Sequence, residues 1–142
     1  MDFLTALQIS ASGLSAQRTR VNTAASNLAN AESTRGPDGK PYQRIDPVLT
    51  ATSFDKELKG AGETSGAVGV QVTQIVKDES PGRRVYLPGH PDADPQGFVT
   101  FPNVNAVHET VNLITASRGY DANATAVDTL KTMAQRALDI AR

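Results

Sequence analysis

Between Asp2 and Ala31 the chain has no proline, and its apolar side chains recur at helical spacing. Leu7, Leu14, Val21 and Leu28 fall seven apart, and Leu4, Ala11, Arg18 and Ala25 hold the second seam position of the same heptads. The pattern predicts an amphipathic helix with a coiled-coil seam, interrupted where Arg18 stands. Alanine and leucine layers let helices approach closely but bury little area each, so this helix needs a partner to persist in water.

The far end reads the same way. Pro102 stops what precedes it, Asn103 or Asn105 offers a cap, and a long helix is predicted from there toward Ala141. Val104, Val107, Val111 and Ile114 form its first stripe. Beyond Gly119 the stripe moves to Tyr120, Val127, Leu130, Ala134, Ala137 and Ala141, a shift that resembles a coiled-coil stutter.

From Ser33 to Pro102 the pattern changes. All 8 prolines lie there, with most of the glycines. Val68, Val70 and Val72 alternate with Gly69 and Gln71, a period-two strand signal, and weaker strands are expected at 42–52, 84–87 and 98–101. Gly36-Pro37-Asp38-Gly39 and Asp94-Pro95-Gln96-Gly97 are turn sequences, and 59–66 reads as a mobile loop. The expected fold is α+β: a discontinuous helical assembly domain of residues 1–32 and 103–142, with a small β-rich domain, 33–102, inserted between its halves.

Composition sharpens this picture. Hydrophobic residues make up 39% and aromatic residues 5%, with no tryptophan, so large side chains for a central core are scarce and apolar surface is expected to meet other chains. A formal charge of -1 with scattered Lys and Arg gives no field for nucleic acid or anionic lipid. The absence of cysteine excludes disulfides and thiolate metal sites. No apolar run reaches the ~18 residues of a membrane helix. The opening MDFLTALQIS lacks the basic start of a secretory signal, so export is expected by another route.

Candidate chemistry is thin. His90, Asp92 and Asp94, taken with His108 and Glu109, suggest a metal site only loosely. His-Pro-Asp-Ala-Asp has no recognised ligand spacing, and His108-Glu109 lacks a second histidine four residues on. No Gly-x-Ser-x-Gly elbow and no phosphate-binding loop is present. No catalytic residue, metal or cofactor is expected; the rival reading is a metal-dependent periplasmic hydrolase using the His90 loop.

Ser12-Gly13-Leu14-Ser15-Ala16-Gln17-Arg18, followed by Ala25-Ser26-Asn27-Leu28-Ala29-Asn30-Ala31, resembles the N-terminal signature of the bacterial flagellar rod and hook family. Asn103-Val104-Asn105 and Ala116-Ser117-Arg118-Gly119-Tyr120-Asp121-Ala122-Asn123 resemble its C-terminal signature, with Gly119 where serine is often found. Tyr86-Leu87-Pro88-Gly89-His90-Pro91-Asp92-Ala93-Asp94, then Gly97-Phe98-Val99, looks like the middle segment of a proximal rod member.

The resemblance implies a structural subunit of the periplasm-spanning rod of the basal body. Its partners would be other rod subunits, copies of itself and the flagellar type III export apparatus, with no nucleic acid and no membrane insertion. Assembly is expected to use Leu7, Leu14, Val21, Leu28, Ile114, Tyr120, Val127 and Leu130. Asn27, Asn30 and Asn123 are expected to fix register, and Arg118 is expected to pair with Asp121 on one helix face.

Overall fold

The computed structural model describes residues 3–53 and 68–140. The expected loop at 59–66, Asp2 and Ala141 lie outside the described residues. The order of elements is α1 (Phe3–Ala29), β1 (Ile45–Ser53), β2 (Val68–Lys77), β3 (Arg83–Tyr86), β4 (Phe98–Phe101) and α2 (Ala106–Ile140). This is the α+β architecture expected, a long helix at each end and β structure between them. The strands form two separate two-stranded sheets, β1 with β2 and β3 with β4.

Both helices owe their limits to side-chain capping. Asn105 opens α2: its Oδ1 accepts the Val107 and His108 N–H groups at 3.0 and 3.2 Å, so two of the helix's orphan donors are satisfied. At the end of α1, the Asn30 amide donates to the Ser26 carbonyl at 2.9 Å and the Ser33 N–H closes onto the Asn30 carbonyl at 3.1 Å. Helix α2 runs unbroken through Gly119 for 35 residues.

The chain divides into two compact units. The first comprises 1–19, 48–74 and 115–142. There the start of α1 and the later part of α2 run antiparallel, since Gly13 lies against Asn123 and Gln17 against Gly119. A Cβ on Gly13 would stand 2.7 Å from Asn123 Oδ1, and one on Gly119 would stand 2.9 Å from Gln17 Cδ. Those two glycines therefore set how closely the helices approach. Ala16 and Ala116 are buried in this unit. Strand β2 is tied to α1 by the Val70 N–H, which donates to Ser12 Oγ at 3.1 Å.

The second unit comprises 20–47 and 75–114. Its hairpin pairs β3 and β4 antiparallel, with Val85 opposite Val99 and Tyr86 opposite Phe98. Val99 is buried, and the Tyr86 and Phe98 rings meet edge to face at 5.3 Å. Arg84 and Arg83 lie over the Phe98 and Phe101 rings at 4.9 and 5.3 Å. The two guanidinium groups thus cover faces of rings that are only half-buried.

Candidate assembly surface

Within the second unit, one polar joint binds the end of α1, the start of β1 and the first turn of α2. Asn27, on α1, is 1% exposed. Its Nδ2 donates to the Ile45 carbonyl at 2.8 Å and to Glu109 Oε2 at 3.1 Å. Its Oδ1 accepts the Ile45 N–H at 2.9 Å and the Tyr42 hydroxyl at 3.0 Å. The side-chain amide thus pairs with both backbone groups of Ile45, as a neighbouring strand would, and its hydrogen-bonding capacity is filled.

Glu109 is also 1% exposed. Arg44 Nε donates to its Oε1 at 2.7 Å, and the same guanidinium reaches Asp46 at 3.1 Å. Burial pushes the Glu109 carboxyl up, but the hydrogen bonds from Arg44, Asn27 and Asn112 and the Arg44 charge outweigh it and hold the group below its ordinary value. Burial likewise pulls Arg44 down, and its bonds and charge contacts with Glu109 and Asp46 more than restore it. Asn103 closes the joint, accepting the Arg44 N–H at 2.9 Å and donating to the Asp78 carbonyl at 3.1 Å.

The residues imagined as a metal site are committed elsewhere. Asp92 accepts the Thr34 hydroxyl at 2.8 Å and lies 3.5 Å from Arg35, while His90 Nδ1 accepts the Asp92 N–H at 3.1 Å. Asp94 accepts the Phe98 and Gln96 N–H groups at 2.8 and 2.9 Å and pairs with Arg84 at 2.8 Å. Chiefly through the Phe98 bond, its carboxyl is held below the usual range. These contacts shape the loop joining β3 to β4. Among the described residues no three His, Asp or Glu side chains gather to hold a metal ion.

The expected assembly residues divide by burial. Leu7, Leu14, Val21, Val127 and Leu130 are half-buried, whereas Leu28, Ile114, Arg118 and Tyr120 are exposed. The second seam of α1 lies entirely outward: Leu4 is 64% exposed, and Ala11, Arg18 and Ala25 are exposed as well. What α1 buries instead is a face of small and polar residues, Ala16, Thr23, Ala24 and Asn27.

The polar members of the expected set take different places. Asn27 makes its four bonds inside the chain, to Ile45, Tyr42 and Glu109. Asn30 finishes its own helix, as described above. Arg118 and Asp121 do not pair; both are exposed, and a few tenths of a kcal/mol does not hold two free side chains together in water. Asn123, half-buried, donates to the Gly119 carbonyl at 2.7 Å and packs on Gly13 within the first unit.

Sequence reasoning passed over Arg44 and Tyr42 and saw Glu109 only as a stray ligand. The available signal was a glutamate in the first turn of a capped helix, set between valines that face outward.

Comparison with known proteins agrees with this geometry. The profile of the family described as flagella basal body rod protein matches residues 7–37. That of the flagellar basal body rod FlgEFG protein C-terminal matches residues 96–140. Among curated relatives, the flagellar basal-body rod protein FlgC of Yersinia enterocolitica is 42% identical over 140 residues, covering 99% of this chain and 98% of its own. FlgC of Aquifex aeolicus is 44% identical, covering 98% and 97%. FlgC of Bacillus subtilis is 38% identical, covering 96% of each chain. Both signatures lie in the matched regions, the likeness to the relatives runs over nearly the whole length, and the chain belongs to the flagellar basal-body rod protein FlgC family.

Proposed function

We propose that this structural, non-enzymatic rod subunit polymerises through its terminal helices into part of a helical tube that carries torque from motor to hook. In this reading residues 1–32 and 103–142 are the assembly domain, and 33–102 is a β-rich insertion that spaces and braces it. The observation that carries the proposal is the outward heptad seam of α1. Leu4, Ala11 and Ala25 repeat as a helix-packing seam repeats, yet they face away from the chain's own buried face. Repeated contacts of this kind between unlike faces, when they do not close, generate a helical assembly.

Torque is then spread over many such contacts, and no single residue is catalytic. The partners are further copies of this chain and other rod subunits, and passage to the periplasm is through the flagellar type III export apparatus. Quantitative mass spectrometry of purified hook–basal bodies tests this reading. Recovery at a fixed ratio to other rod subunits is expected. Recovery only from the soluble periplasm would overturn it.

A further inference from the structure

We draw no further inference here: the strongest candidate, the exposed patch of Val107, Val111 and Ile114 on the first turns of α2, is an unpartnered apolar helix face, and nothing in the structure shows what covers it.

Discussion

Replacing Asn27 by alanine removes four hydrogen bonds from a side chain that is 1% exposed. Three of them go to neutral groups, the Ile45 N–H, the Ile45 carbonyl and the Tyr42 hydroxyl, each contributing about 1 kcal/mol net. The fourth goes to the Glu109 carboxylate and contributes about 2 kcal/mol. The total is reduced because a polar cavity lined by Arg20, Thr23, Asn27, Asp46 and Asn112 can admit water to the orphaned groups. A loss of about 3–4 kcal/mol follows, a large share of the ~5–15 kcal/mol that holds a typical domain together.

Asn27→Asp is the sharper variant. It keeps the shape but turns the donating nitrogen into an oxygen facing the Ile45 carbonyl and Glu109, so it should lose at least as much as Asn27→Ala. Asn30→Ala, which loses only helix-end bonds, should lose about 1 kcal/mol or less. Urea denaturation of the purified full chain, followed by circular dichroism, measures all three. An Asn27→Ala loss below about 1 kcal/mol, or an Asn27→Asp variant as stable as the natural chain, would refute the reasoning.

The other predictions concern acid, backbone and helix ends. Because the Glu109 carboxyl is held below its ordinary value of 4.5, its stabilisation is fully present above that pH and is lost as pH falls through the lower, folded value. Denaturation curves across this range should show the natural chain losing stability more steeply than Glu109→Gln. Glu109→Gln itself should be weaker at neutral pH by about 2–3 kcal/mol; parallel pH profiles would contradict the assignment. Gly39 and Gly97 both have positive φ, 72° and 82°, but a Cβ on Gly39 meets open space while one on Gly97 comes within 2.8 Å of the Tyr86 ring. Alanine should therefore cost about 1 kcal/mol at Gly39 and about 2–3 kcal/mol at Gly97, with equal thermal shifts counting against this. Finally, dilute monomer should show less helix by circular dichroism than α1 and α2 together contain, since their ends depend on neighbours for burial; full helicity with a cooperative melt would contradict this.

The helices were legible because their signals are strong and local: freedom from proline, apolar residues at helical spacing, and an asparagine cap. Strand β4 fell where expected, and β2 ran on past Val72 to Lys77 because its pairing with β1 continues beyond the alternating valines. The buried face of α1 was not legible. Ala16, Thr23, Ala24 and Asn27 look like a solvent-facing stripe, and for Asn27 the long-range bonds to Ile45 and Glu109 that hold it inside leave no mark in the local sequence. The leucine–alanine heptads drew attention first because periodicity detects apolar seams, whereas a joint built from amides and one ion pair leaves no periodic trace.

That division, a polar joint holding the chain to itself and the seam of Leu4, Ala11 and Ala25 turned outward, is the centre of the account. It is tested most directly by placing charges on the seam, with the A11E/A25E variant expressed as the sole copy in motile cells. Both positions are exposed, so the purified variant should keep the natural chain's denaturation midpoint within about 0.5 kcal/mol. The account predicts that this stable variant is missing from hook–basal bodies and that the cells do not swim. A variant that folds normally and enters the rod at the natural level would contradict it.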